Sequence, residues 1–197
     1  MKSIHTKEIA ACVFGALLGG LFVFQVINIE QSHVDPYDTD YHVHADFLIY
    51  LDDRQLDLGQ TQYMTTAEQH LHNDVHLHDD NGSIVHYHEE NVTFSEFLSS
   101  LNYTLTNDCF ITTAGQQFCN NETETMQLYV NNNLYTDDIS AYVPADEDRI
   151  LLYYGTESNE NITAYLDAVT DEACIYSGTC PERGIAPAES CGLTCEL

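Results

Sequence analysis

Lysine is absent beyond Lys7, and the only other basic residues are Arg54, Arg149 and Arg183. All but Glu8 of the 32 acidic residues lie beyond residue 29, and the formal net charge is −27. Such a chain does not bind nucleic acid or an anionic membrane surface. Its many Tyr, Phe, Ile and Leu residues argue against disorder. An EF-hand spacing is missing, which excludes that type of calcium loop. Cys-x-x-Cys is missing too, which removes the usual redox motif and the c-type haem attachment. No low-complexity segment and no long internal repeat occurs. What remains is a solvated acidic surface suited to very high salt, where screening makes like-charge crowding tolerable. Abundant Asp with almost no Lys fits a halophile.

One long apolar run is present, residues 9–29 (IAACVFGALLGGLFVFQVINI). It is long enough to cross a bilayer as a helix. Lys2 and Lys7 precede it, so the positive-inside rule places the N-terminus in the cytoplasm and the rest outside. The competing reading is a cleaved signal peptide, but no small-x-small site follows Ile29. The expected organisation is an anchor over 1–30, a polar stalk over 31–40 with a solvated His33, a His-rich domain over 41–156, and a short helix with a Cys-rich tail over 157–197. Six cysteines lie beyond the anchor: Cys109, Cys119, Cys174, Cys180, Cys191 and Cys195. An even count in an oxidising space points to disulfides. Cys109 to Cys119 reads as a hairpin closed by one; the pairing of the other four stays open. Sequons at Asn81, Asn91, Asn102, Asn121 and Asn161 agree with an outside location.

Eight of the ten histidines fall into four His-x-His pairs: His42/His44, His70/His72, His76/His78 and His86/His88. On an extended strand, side chains two apart share a face. Tyr41 to Leu51 is such a strand, with Tyr41, Val43, Ala45, Phe47, Ile49 and Leu51 on one face and His42, His44 and Asp46 on the other. Asp52-Asp53 turns the chain into a partner over 54–58. Residues 70–78 and 83–88 repeat the parity. A three-residue Asp80-Asn81-Gly82 loop pairs His76 with His86, gathers His76, His78, His86 and His88, and buries Val75, Leu77, Val85 and Tyr87. Ile84 then sits on the histidine side as a misfit. Thr93-x-x-Glu96 is a capping box for a helix with the stripe Phe94, Phe97, Leu98 and Leu101. Strands follow over 126–130 and 150–154, with Asn131-Asn132-Asn133 as a turn. Residues 160–169 have weak helical periodicity. The expected fold class is α+β: a small mixed or antiparallel sheet with one capped helix, between a membrane helix and a disulfide-stapled tail.

The segments YHVHADFLIYLDD, HLHDDNGSIVHYH, TFSEFLSSL, LYVNN, DEDRILLYYG and CIYSGTCPERG resemble a family of membrane-anchored archaeal proteins with His-x-His-rich outer domains, over roughly residues 41–183. The order hairpin, capped helix, YVN strand and D-x-D-R-I strand is similar to β-grasp domains, which implies that core. Some such proteins carry a disulfide-isomerase label; the cysteine spacings here, wider than redox motifs use, give it little support.

All-imidazole sites with occasional carboxylates suit copper or zinc rather than calcium or magnesium. Eight imidazoles suffice for two or more ions. His42, His44, His76, His78, His86 and His88 are the leading ligands, with His70 and His72 less central because their segment reads partly as loop. Asp46, Asp74 and Asp79 are candidate carboxylates to orient imidazole. The expected function is an extracytoplasmic, single-pass membrane protein that acquires, buffers or delivers copper or zinc. The alternatives are a metalloenzyme at the same face (copper oxidase-like or zinc hydrolase-like), a cell-surface structural or adhesive protein with a structural metal, and a thiol–disulfide oxidoreductase. A pH-responsive histidine face is a further reading.

Overall fold

Residues 43–51 form the central strand, because both of its faces have something to bury. The computed structural model describes residues 41–66, 68–156 and 160–187. Strands β1 (Val43–Leu51), β2 (Arg54–Gln55), β3 (Val75–His76), β4 (Ile84–Tyr87), β8 (Thr125–Val130), β9 (Asn133–Leu134) and β10 (Arg149–Gly155) form a seven-stranded mixed sheet. Its order is β3-β4-β1-β10-β8-β9, with β2 also against β1. β1 and β10 run parallel, and the remaining pairs are antiparallel. Strands β5 (Thr104–Leu105), β6 (Cys109–Ile111) and β7 (Gln117–Cys119) form a second sheet. Helix α1 spans Phe94–Ser100, α2 spans Ile162–Ala168, and α3 is the single turn Ala173–Tyr176.

Acidic and amide residues make the tight turns. Leu51 pairs with Arg54 and Val130 with Asn133, so Asp52-Asp53 and Asn131-Asn132 are two-residue hairpin turns. All four have positive φ, the type I′ pattern, which Asp and Asn tolerate better than branched residues. The odd residues of β1 (Ala45, Phe47, Ile49, Leu51) pack with Ile150, Leu152 and Tyr154 of β10 into the main core under α1. Phe94 and Phe97 of α1 meet Phe47 edge-on at 5.8 and 5.2 Å. The capping box starts that helix: Glu96 N–H donates to Thr93 Oγ1 at 3.1 Å, and Thr93 N–H donates to the Glu96 carboxylate at 2.7 Å. The Thr93 backbone and hydroxyl hydrogen bonds hold the Glu96 carboxyl below its ordinary range.

The opposite face of the sheet carries a second apolar cluster, Leu48, Leu151, Tyr153 and Val169, joined by Tyr50, Ile162, Tyr165 and Leu166. This face cannot be left in water, so the chain folds back and lays α2 across it. Two neighbours across β1 and β10, Asp46 and Arg149, fasten that return. Asp46, buried, accepts from Thr170 Oγ1 and from the backbone N–H groups of Glu172 and Ala173, both at 2.9 Å. Arg149 donates to the carbonyls of Thr170 at 2.9 Å, Leu166 at 3.4 Å, and Val169. The pair thus holds both polarities of one stretch of backbone at the joint between α2 and α3.

These features correct the expected fold class. Among the described residues there are, in place of one small sheet with one capped helix, two sheets, two seven-residue helices, the turn Ala173–Tyr176 and two short 3-10 turns. The physical reason is the apolar Leu48–Leu151–Tyr153 surface, which demands a covering layer. Strand pairing is also shorter than expected: β2 holds two residues, and only Val75–His76 of residues 70–78 is a strand. The expected membrane helix lies outside the described residues; among the described ones no helix is long and apolar enough to cross a membrane. Cysteines 109 and 119 are disulfide-bonded, as are 174 and 180. Cys191 and Cys195 lie outside the described residues.

Replacing Asp46 with Ala removes a buried carboxylate and strands two N–H donors. A loss of about 3 kcal/mol in chemical denaturation is expected. A loss under about 1 kcal/mol would show that the return of the chain is held elsewhere. A second expectation concerns alkali. Burial raises Tyr87, burial and the Asp148 carboxylate raise Tyr142, and burial and Tyr63 raise Tyr103. Each neutral phenol contributes stability that is intact below the ordinary tyrosine pKa of about 10 and is lost as pH climbs above it. Phenolate absorbance should therefore appear in two stages, exposed tyrosines first and these three only together with loss of the fold.

Candidate metal centre

Register builds the site. His44 of β1 pairs with His86 of β4, and His86 pairs in turn with His76 of β3. Three imidazoles therefore stand in one row across three adjacent strands. His42 and His88 extend the patch beyond the strand ends; their rings stack at 4.4 Å, and His88 stacks on His76 at 4.8 Å. His78, past the end of β3, closes it from the other side, 3.8 Å from the His86 ring. His44, His76, His78 and His86 are buried, while His42 and His88 are half-buried.

The loop between β3 and β4 reaches this register by another geometry than a glycine bulge. The left-handed residues are Asp79 and Asp80, not Gly82. Gly82 is needed for close approach: a Cβ there would lie 2.2 Å from the backbone nitrogen of Gly59. Ile84 does face the histidine side, fully buried, because the α3 segment fastened by Asp46 covers that side of the sheet.

Hydrogen bonds fix the imidazole tautomers. Ser177 donates its hydroxyl proton to the Asp146 carboxylate at 2.6 Å, so at 2.8 Å its oxygen accepts from His44 Nδ1–H. His76 Nδ1 meets the carbonyl of His72 at 3.2 Å, and a carbonyl only accepts. His78 Nδ1 donates to the Asp79 carboxylate at 2.8 Å. With His78 neutral, its Nε2 accepts from His86 Nδ1–H at 3.1 Å. His44, His76 and His86 thus all carry the proton on Nδ1 and a lone pair on Nε2. This is the arrangement in which a metal-binding imidazole is oriented by a carboxylate, carbonyl or hydroxyl behind it.

His42, His44 and His86 each offer a ring nitrogen, and the three nitrogens lie within 4.8 Å of one another. This group can hold a metal ion. The other expected residues take different places. His70 and His72 are exposed, and among the described residues neither ring contacts the cluster; His72 acts through its carbonyl. Asp79 orients an imidazole. Asp74 acts through its backbone, its N–H donating to His72 Nδ1 at 3.2 Å and its carbonyl accepting from His88 N–H at 2.8 Å. Both oxygens of Asp46 face the returning chain.

Three contributors escaped the sequence reading: Asp146, Tyr176 and Ser177. Tyr176 packs against the rings of His86 at 5.2 Å and His44 at 5.7 Å, and its hydroxyl accepts from Asn81 Nδ2 at 3.3 Å. The signal for Tyr176 and Ser177 was the short run CIYSGTC, an aromatic and a hydroxyl inside one small cysteine ring; Asp146, one acidic residue among many, left none. No family model, no curated protein and no solved structure matches the chain.

Nitrogen-15 NMR of the metal-free protein near neutral pH should report the Nδ1–H tautomer for His44, His76 and His86. Finding Nε2–H on His86 would break the Asp79–His78–His86 chain as assigned. Asp79→Asn is expected to weaken metal binding by about 10- to 100-fold by loosening that chain.

Proposed function

We propose that this protein binds copper or zinc at His42, His44 and His86 and acquires, buffers or delivers it outside the cytoplasm. The observation that carries the reading is the convergence of three ring nitrogens within 4.8 Å, two of them on buried imidazoles. Imidazole nitrogens at this spacing suit copper and zinc, whereas oxygen-seeking calcium and magnesium find no carboxylate in the trio. Burial adds weight. An apolar side chain at each of the four buried histidine positions would stabilise the fold by about 1.5–3 kcal/mol. Keeping imidazoles there is costly unless they have work to do. The net charge of −27 draws cations of every kind, and the nitrogen donors select among them. The two disulfides accord with an oxidising location.

A metalloenzyme has one observation in its favour: three imidazoles leave a fourth position, the count typical of catalytic zinc. Tyr176 packs against two of the three rings, and His88 stacks on the third, so rings of the chain itself crowd the trio where a substrate would have to approach. Transport or storage is therefore the better reading.

Metal analysis of the purified full chain, followed by competition with a chromogenic chelator, tests it. At least one equivalent of copper or zinc should bind, and His86→Ala should weaken it by at least about 100-fold. His70→Ala should leave affinity unchanged. A second equivalent, lost with His76→Ala, would extend the site to His76 and His88. Equal binding by the wild type and His86→Ala would end the reading.

A further inference from the structure

Residues 174–180 form a ring closed by the Cys174–Cys180 disulfide, and this ring lays Tyr176 and Ser177 on the imidazoles. Its first end is fixed by the Asp46 carboxylate under Ala173. Its far end depends on the disulfide, on Thr179 Oγ1 donating to the Glu147 carboxylate, and on the Thr179 and Cys180 N–H groups that share the Cys174 carbonyl at 3.0 and 3.4 Å. Ser177 sits between, and its bond to His44 Nδ1 orients one of the three metal-binding rings.

The disulfide has an unusual neighbour for so acidic a chain. Arg183, one of five basic residues in the sequence, places Nη1 3.5 Å from Cys174 Sγ. The same guanidinium is held by Asp171, through the backbone carbonyl and the carboxylate, both at 2.7 Å. A fixed cation beside a sulfur stabilises its thiolate and makes it the better leaving group in thiol–disulfide exchange. Both cysteines are buried at 9% exposure, but Cys180 is flanked on both sides by exposed residues (Gly178, Thr179, Pro181, Glu182), so its sulfur is the one within reach of a reductant. The other disulfide joins the paired strands β6 and β7, where Asp108, not a cation, adjoins Cys109 in sequence.

We propose that Cys174–Cys180 is a thiol-exchange site for a dithiol reductant, and that its reduction loosens the cover on the metal centre and releases the ion. The inference rests on the metal-binding reading above. A thiolate of the dithiol attacks Cys180 Sγ; the sulfur–sulfur electron pair departs on Cys174 Sγ beside Arg183. The second thiolate of the reductant then attacks its own sulfur in the mixed disulfide and expels the Cys180 thiolate. The reductant becomes a disulfide, the cystine takes up two electrons, and the two protons of the dithiol pass to the freed cysteines. Ser177, no longer held in a closed ring, leaves His44 without a fixed orientation, and the ion is held less tightly. Ser177 is a positioning residue in this scheme.

The test uses the full chain, Zn(II) and dithiothreitol. Differential alkylation read by mass spectrometry should find Cys174 and Cys180 reduced at least about tenfold faster than Cys109 and Cys119, and Arg183→Gln should remove most of that difference. After anaerobic removal of reductant, Zn(II) affinity should be about 10- to 100-fold lower than in the oxidised protein. Cys174→Ser with Cys180→Ser should show the same loss with no thiols to compete for zinc. Ser177→Ala should reproduce most of it, with Ser177→Thr restoring binding. Should the double serine variant not fold, Ser177→Ala and the reduced wild type carry the comparison. Reduction of 174–180 no faster than 109–119, or affinity in the open-ring protein within about twofold of wild type, overturns the proposal. A wild type that binds no zinc or copper at all overturns the metal reading instead, and the alkylation rates still decide the exchange site.

Discussion

Everything at this site depends on the register of β4 between β1 and β3. His86 faces His44 on one side and His76 on the other, so its strand must be aligned correctly with two neighbours at once. A slip of one residue would turn Val85 and Tyr87 to the histidine face and send His86 into the core. Burial enforces the alignment. Val75, Val85 and Tyr87 are almost wholly inaccessible on the core side, and exchanging them for imidazoles would lose apolar burial and add polar burial together. The geometry of the candidate metal centre is thus specified indirectly, by the greasy residues between the histidines.

A second constraint acts at right angles to the first. Strand register places the rings, but it neither fixes their rotation nor shields them. The His72 carbonyl and Asp79 orient His76, His78 and His86, and the rest of the task falls to the chain after residue 160. Asp46 and Arg149 hold its backbone by accepting from N–H groups and donating to carbonyls, so the joint between α2 and α3 has a defined position on the sheet. From that joint the Cys174–Cys180 ring extends Tyr176 and Ser177 over the imidazoles. The even face of β1 is therefore divided. Its first half carries the histidines, Asp46 is the fastening point, and Leu48 and Tyr50 begin the apolar floor beneath α2.

Period-two alternation made β1 legible, and the same parity in residues 75–88 was enough to pair His76 with His86 before any coordinates. The capping box at Thr93 and Glu96, the two-residue turn at Asp52-Asp53 and the Cys109–Cys119 hairpin were equally local and equally readable. What failed was non-local. Leu48, Tyr50, Leu151 and Tyr153 were visible as residues, but nothing in a strand pattern tells how its second face will be covered, and α2 has only a weak apolar stripe. Asp46 looked like an imidazole partner because it shares parity with His42 and His44; its true partners lie at least 124 positions further on, beyond reach of any periodicity. The link of Ser177 to His44 spans 133 positions and is invisible for the same reason. Distant backbone contacts of single polar residues leave no pattern to read.

Two explanations compete for the buried imidazoles, a self-satisfied hydrogen-bond network and a metal centre, and the tautomers weigh between them. A purely structural network gains most when each ring both donates and accepts within the protein. His78 fits that description, donating to Asp79 and accepting from His86. His44, His76 and His86 share its tautomer and differ from His78 only in what lies behind Nδ1. Each donates through Nδ1 to a hydroxyl, a carbonyl or another ring, and each is thereby left with its lone pair on Nε2. Lone pairs presented on the same atom of neighbouring rings are what coordination of a cation requires. His42 brings a further ring nitrogen within 4.8 Å of those of His44 and His86, so the same geometry that orders the network can also hold an ion.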